Sequence, residues 1–477
     1  MRMNVVSYFL KGVKGVKADS FDYGIHQNSL HKNKIRNNIH SHCIMIKQYF
    51  KQAWTMMRQN KLFTSIYVAG TGLSIAFTMV LFIIYYVKFA PVYPEYNRDR
   101  MLVISKSAVA IGEAEKWNSC NSGANPKIAG LVKDLPHLDE VGMAMMSSWA
   151  GSTVLLPNSN EQLEVTPGMV DAGFWKVFTF QFLNGKPFDE ATVEAERPVA
   201  ILTESLAKRI FASTDVVGQY ISYDGKDMQV VGVVADVTGT TPATAADLYI
   251  PLYYGGQNRP SKYDMGLSGS VSIYMTAPTQ EDVETLRTEV IDVLNRYDQE
   301  DKQFTHFWMN QPDVWWKSTF RDACSNEPDI PGIIRGILYM LLALLFIPAM
   351  NLCGMISSRM DERMSELGVR KAYGATNAGL ISQVLTENLL LTLVGGAVGL
   401  ALAYLIALTG GDWVYHLFDN FVMPGGVNPS YTVEMLFNPT LFLSVFGLCV
   451  ILNLISALVP TILALRHTII YSIQSKR

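Results

Sequence analysis

The residue types that most often do chemistry are present but not in working arrangements. Eight histidines could ligate a metal or move protons, yet none falls in an HExxH pattern or a ligand cluster. The five cysteines, Cys43, Cys120, Cys324, Cys353 and Cys449, lack zinc-ligand spacing. A nucleophile elbow needs GxSxG, and Gly266-Leu267-Ser268-Gly269-Ser270 is out of frame for it. A phosphate-cradling loop needs GxxxxGK followed by Ser or Thr. Gly-Lys occurs at Gly185-Lys186 and Gly225-Lys226, where Phe180 and Tyr220 occupy the place of the leading glycine. The adjacent carboxylates Asp189-Glu190 read as solvated surface rather than an acid–base pair. The sequence holds no recognisable catalytic, cofactor or metal site, and no P-loop of its own.

Docking chemistry is better represented. The segment Glu366-Leu367-Gly368-Val369-Arg370-Lys371-Ala372-Tyr373-Gly374-Ala375 carries both signs of charge. Its two glycines, Gly368 and Gly374, flank a basic pair. Two readings are open on periodicity alone. One is a membrane anchor with its charges in water. The other is a short docking helix that presents Glu366, Arg370 and Lys371 to a partner.

The elements that must position this segment show as an absence of charge. Only 17% of the residues are charged, against roughly 25% in ordinary soluble domains. Residues 62–87, 336–358, 388–411 and 435–465 contain no Asp, Glu, Lys or Arg over 26, 23, 24 and 31 positions. A helix rises about 1.5 Å per residue and the hydrocarbon core is about 30 Å thick, so each can cross a bilayer. The docking segment lies between the second and third. This composition excludes a disordered, collagen-like or coiled-coil protein.

Basic residues set the expected orientation. Residues 1–61 hold 11 Lys/Arg against 2 acids, and residues 359–379 hold four bases. Residues 88–335 hold 21 bases against 33 acids, and residues 412–434 hold three acids and no base. The basic segments are expected inside and the acidic ones outside, with both termini cytoplasmic. Residues 1–43 lack a core pattern and read as a dispensable extension, with no cleavable signal peptide. From Ile46 to Met57, apolar residues recur at helical spacing, which predicts a basic amphipathic helix on the inner membrane surface.

The insertion between the first two spans is soluble in character. Strands are predicted at residues 198–202, 220–223, 228–234 and 271–275, with a hairpin turn at Asp224-Gly225. Helices are predicted at 204–211 and 281–297. Their irregular alternation predicts an α+β domain. Cys120 and Cys324 both fall in this exterior segment, where a disulfide can form. Gly395, Gly396 and Gly399 include a GxxxG spacing that permits close helix approach, within one chain or between two.

The segment from Glu366 to Ala375 resembles the signature of MacB/FtsX-type ABC transporter permeases. The resemblance extends to Glu387 with Leu389-Leu390-Leu391, to Gly395, Gly396 and Gly399, and to Pro460 and Ala464. In the exterior part it includes Gly173-Phe174-Trp175, Gly185, residues 198–211, Val216-Val217-Gly218 and residues 230–236. It covers roughly residues 46–470. Thr461 after Pro460, the apolar tail 468–473, and Pro328 and Pro331 depart from the family pattern.

The resemblance implies a membrane α-helical fold: four transmembrane helices, with a large α+β periplasmic domain inserted between helices 1 and 2. The expected organisation runs as a basic extension (1–45), an interfacial helix (46–61), a first span (62–87) and a periplasmic core domain (88–332). A second span (333–358), a cytoplasmic coupling segment (359–379), a third span (380–408), a periplasmic loop (409–440), a fourth span (441–465) and a cytoplasmic tail (466–477) follow. The implied ATPase-coupling residues are Glu366, Gly368, Arg370, Lys371, Gly374 and Ala375, and the implied helix-packing residues are Gly395, Gly396, Gly399 and Pro460.

The implied partners are a separate ABC ATPase, which supplies ATP so that this chain binds no cofactor directly, and a second permease copy or paralogue. A periplasmic adaptor or outer-membrane protein is compatible with the same reading, and nucleic acid is not. The implied location is a bacterial inner membrane. The leading functional expectation is an ATP-driven exporter of peptides, lipids or lipoproteins. The alternative is a signalling permease that activates a periplasmic enzyme without transport. A third reading is a membrane receptor or scaffold unrelated to ABC transport.

Overall fold

The computed structural model describes residues 51, 54–55, 58–59, 61–117, 119–146, 151–156, 161–261, 263–321, 327–343, 346, 366, 368–418 and 439–465. The expected extension 1–45 and tail 466–477 lie outside them, as does most of 46–61 and of 344–365. The chain forms two compact units: Met1–Gly72 with Phe346–Val398 and Leu448–Arg477, and Leu73–Leu345 with Gly399–Gly447.

Among the described residues, three helices are long and apolar enough to cross a membrane: Thr64–Phe89, Asn377–Gly410 and Phe442–Leu463. The first is part of α1 (Lys61–Phe89). A shorter apolar helix, Ile330–Ala343, begins at the expected second span, whose remainder lies outside the described residues. The helix over the third span runs from Asn377 to Phe418, ten residues past the expected limit at 408. Absence of charge marks the stretch that lipid can cover. Helix length is set by where backbone breakers fall, and Asp412 interrupts the first without ending the second. The fourth helix spans Pro439–Leu465 and starts on a proline, whose missing N–H is harmless in a first turn.

The core domain is built on a mixed twelve-stranded sheet. In chain order its strands are β1 (Met101–Ile104), β2 (Glu140–Met146), β3 (Ser152–Leu155), β4 (Gln162–Val165), β5 (Pro167–Val170), β6 (Phe182–Gly185), β7 (Val199–Thr203), β8 (Tyr220–Tyr223), β9 (Lys226–Val234), β10 (Leu248–Pro251), β11 (Ser272–Thr276) and β12 (Asp313–Val314). Their order across the sheet is β12-β1-β11-β2-β5-β10-β7-β9-β8-β3-β4, with β6 also pairing β9. β7 and β9 are parallel, as are β10 and β5; the other pairs are antiparallel.

Local sequence explains several elements directly. The predicted helix at 204–211 forms as Glu204–Phe211, with Leu206, Ala207 and Ile210 buried. β8 and β9 form the predicted hairpin, with Tyr223 opposite Lys226 and the two turn residues Asp224 and Gly225 at φ +45° and +76°. A two-residue turn with both φ positive matches the twist of the strands it joins. The predicted helix at 281–297 forms as Val283–Glu300 and buries Val283, Leu286, Val290 and Leu294.

One core cluster runs through the domain, with Phe174, Phe178 and Tyr249 fully buried in it. Asp189 does not merely face water: its carboxylate accepts from Thr192 N at 2.9 Å and caps the helix Glu190–Glu194. Cys120 is disulfide-bonded, and Cys324, the partner expected from the sequence, lies outside the described residues.

Candidate functional site

The docking segment is organised by its caps. Residues 368–372 are helical, and Gly374 follows at φ +93°, a left-handed conformation that L side chains resist. Ala375 N donates to Arg370 O at 3.0 Å and Gly374 N to Lys371 O at 3.1 Å. These are the two bonds of a Schellman motif, which satisfies carbonyls that a helix end leaves bare. Two residues later Thr376 starts the next helix, its Oγ1 accepting from Gly379 N at 3.2 Å. The run Lys371-Ala372-Tyr373-Gly374-Ala375-Thr376 is therefore one tight corner between two helices, in which Gly374 supplies a backbone shape and Thr376 a cap.

Charged side chains of this segment are hydrogen-bonded to one another and to the helix that follows. Arg370 donates to Glu366 Oε1 at 2.6 Å and to Gln383 Oε1 at 2.8 Å. Gln383 in turn donates to Glu387 Oε1 at 3.2 Å. Gln383 and Glu387 are both buried, one helical turn apart. Arg370 thus ties the segment to the following helix, while Glu366 is bonded within the segment and stays exposed. The guanidinium serves the two acceptors from two separate nitrogens held in one rigid plane, which the single nitrogen of a lysine does not offer. Gly368 is buried, and Lys371 and Ala375 are half-buried.

Among its described residues the segment also exposes apolar groups. Tyr373 is 90% exposed and Val369 is 46% exposed. They lie four residues apart, on one face of the turn, with exposed Ala372 beside them. Sequence reasoning passed over Tyr373 and Gln383. A lone tyrosine amid charges reads as incidental, and a glutamine before an apolar run reads as an interface residue.

The packing glycines lie on the helix that follows. An added Cβ at Gly395 would sit 3.1 Å from Thr71 Cβ, so this glycine admits α1 to close range. Gly396 and Gly399 are buried, and Pro460 falls inside the helix Pro439–Leu465. Near Gly395, the hydroxyls of Tyr67 and Thr392 share a hydrogen bond of 3.4 Å.

The core domain also holds a cavity of about 740 Å³, whose lining includes Lys127, Asp171, Trp175, Phe188 and Tyr253. Asp171 Oδ1 accepts from Met143 N and Phe174 N, each at 2.8 Å. Burial pushes its carboxyl up to about 7, against the pull of those backbone donors. Among the described residues no cluster of His, Cys, Asp and Glu is close enough to hold a metal.

Residues 64–293 match the family model of the MacB-like periplasmic core domain, and residues 338–469 match that of the FtsX-like permease C-terminal domain. The ABC transporter permease YknZ of Bacillus subtilis (strain 168) is 24% identical over 244 residues, covering 51% of this chain and 57% of that protein. The macrolide export ATP-binding/permease protein MacB of Shewanella sp. (strain ANA-3) is 24% identical over 340 residues, covering 70% of this chain and 46% of that protein. The chain thus spans about half the length of these relatives. Among solved structures, the extracellular domain of the noncanonic ABC-type transporter YknZ from Gram-positive bacteria aligns with TM-score 0.30 at 12% identity. That alignment covers 42% of this chain and 99% of the domain.

Proposed function

Because the chain belongs to the MacB/FtsX-type ABC transporter permeases, we propose that it couples ATP hydrolysis by a separate ATPase subunit to movement of its exterior core domain. On this reading the capped corner at residues 366–376 is the docking site. It lies on the cytoplasmic side of a bacterial inner membrane, with both termini on that side. ATP-driven closure of the partner displaces the corner, and the helix from Asn377 carries the displacement toward the core domain. A second copy or a paralogue completes the permease. The work done outside is the export of peptides, lipids or lipoproteins.

The observation that carries this reading is the construction of the corner. A helix end capped on one side by Gly374 and on the other by Thr376, and braced by Arg370 to Gln383, holds an exposed apolar face in one conformation. An anchor whose only role was charge in water would need none of this. Pre-organised exposed aromatic residues are what protein interfaces use as anchors.

The test is co-purification from native membranes followed by reconstitution. The expected outcome is an ABC ATPase that binds the full chain, loses binding when Val369 and Tyr373 are both replaced by Ser, and drives ATP-dependent loss of cargo from the membrane or its lumen. ATP turnover without any transport would remove the export step. Labelling of the 366–376 corner from the extracytoplasmic face of intact cells would overturn the coupling itself.

A further inference from the structure

Where α1 ends, side chains of the core domain replace water as the partners of its last carbonyls. A helix leaves its final four C=O groups without intrahelical donors. Arg98 donates to Val87 O at 2.5 Å and to Ala90 O at 2.8 Å. Trp315 Nε1 donates to Lys88 O at 3.4 Å. The ring of Phe89 meets Phe320 at a centroid distance of 5.6 Å, and the Lys88 ammonium lies 4.7 Å from the same ring.

The guanidinium is itself locked. Its Nε donates to Glu95 Oε2 at 2.8 Å, with a further nitrogen 2.7 Å from the same oxygen. The other carboxylate oxygen of Glu95 accepts from Ala243 N at 3.1 Å and Thr244 Oγ1 at 3.0 Å. Trp315 lies under the guanidinium, 4.8 Å from ring to carbon. Glu95 is wholly buried and Arg98 is 3% exposed. Residues 87–98, residues 243–244 and Trp315, distant from one another in the chain, therefore meet at one buried ion pair.

Such a pair adds little net stability, because both charges are desolvated. It does fix geometry: a buried charge tolerates only the arrangement that satisfies it. The connector between α1 and the sheet is thus tied down at the point where a hinge would otherwise be expected.

We propose that Arg98, Glu95 and Trp315 form a rigid joint that fuses the C-terminal half of α1 to the core domain, so that displacement of the helix is delivered to the domain and not absorbed in the connector. These are positioning residues, and their role in force transfer rests on the coupling function proposed above.

The test uses the full chain in lipid nanodiscs, spin-labelled through unnatural amino acids at Leu73 on α1 and Lys133 on the core domain, both exposed. Pulsed dipolar spectroscopy reads the helix-to-domain distance distribution. The wild type is expected to give one narrow distance. The double variant Glu95→Gln/Arg98→Gln removes both charges together and leaves neither buried alone. It is expected to broaden the distribution about twofold or more, with amides of residues 84–92 exchanging about tenfold faster.

Exchange in β7 reports whether the core is still folded. If the double variant unfolds the core, Trp315→Phe, which keeps the ring and removes the donor, is judged by the same two readings. A folded variant with wild-type width and wild-type exchange overturns the joint. So does a wild-type helix-to-domain distance that shifts when a bound ATPase receives ATP, since the connector would then be the hinge. A wild-type chain that shows no ATP response between core domains counts against the coupling function alone. The width measurement needs no ATPase and still decides the joint.

Discussion

Replacing Tyr373 by Ala separates docking from folding. The ring is 90% exposed, so its loss removes almost no packing from the chain itself. Substitutions at such sites change stability by less than about 0.5 kcal/mol. If a partner buries the ring, the arithmetic is different. A tyrosine covers about 150–250 Å² on full burial, worth about 4–6 kcal/mol gross at about 25 cal/mol per Å². Ordering and imperfect desolvation reduce this to the about 2–4 kcal/mol typical of an interface anchor. Affinity for the ATPase should therefore fall about 30- to 1,000-fold. The assay is a binding titration of the co-purifying ATPase on the full chain in nanodiscs, with thermal melting measured in parallel. Tyr373→Phe should retain most of the affinity. A Tyr373→Ala variant that binds within about threefold of the wild type, with unchanged melting, would falsify the assignment of this face as the docking surface.

Three further outcomes follow from single positions. Gly374→Ala places a Cβ in a left-handed conformation with no neighbour within 4 Å, so its cost is backbone strain of about 1–2 kcal/mol; ATPase affinity should drop while Gly374→Asn partly restores it. Gly395→Leu pushes against Thr71, which a Cβ alone would approach to 3.1 Å; overpacking of about 1–3 kcal/mol should lower the melting temperature of the purified chain. Asp171 holds its proton up to about pH 7 when folded, against an ordinary value of 3.8. The folded state binds more protons between those values, so core-domain stability should decline as pH rises through that window. Asp171→Asn should flatten that decline in denaturant titrations at several pH values; an unchanged slope would remove Asp171 as its source.

How much of this was readable in the sequence depended on the range of the forces involved. The hairpin at Asp224-Gly225 and the helix Glu204–Phe211 follow from neighbours in the chain, and both were legible. Three of the four charge-free stretches were legible too, as described helices long and apolar enough to cross a membrane, because lipid selects against charge whatever the fold. Strand partners were not. β1 pairs with β12, placing Val103 opposite Asp313 across some two hundred positions, and no local pattern encodes that choice. β1 itself, Met-Leu-Val-Ile, is buried on both faces, so it lacks the alternation that marks a strand. β5 begins with Pro167 and Gly168, residues that argue against a strand, yet it lies between β2 and β10.

The candidate site divides along the same line. Its glycines and signature residues could be picked out, but their roles could not, because role depends on what each side chain meets in space. Glu366 and Arg370 look alike as surface charges until Gln383 is placed beside them. Glu95 and Arg98 look like a solvated turn until α1 ends against them. In both places an arginine reaches beyond its own turn to hold a helix end: Arg370 to Gln383, and Arg98 to the carbonyls of Val87 and Ala90. On the proposed coupling function, stiffness at these two corners is what would carry displacement from one rigid element to the next.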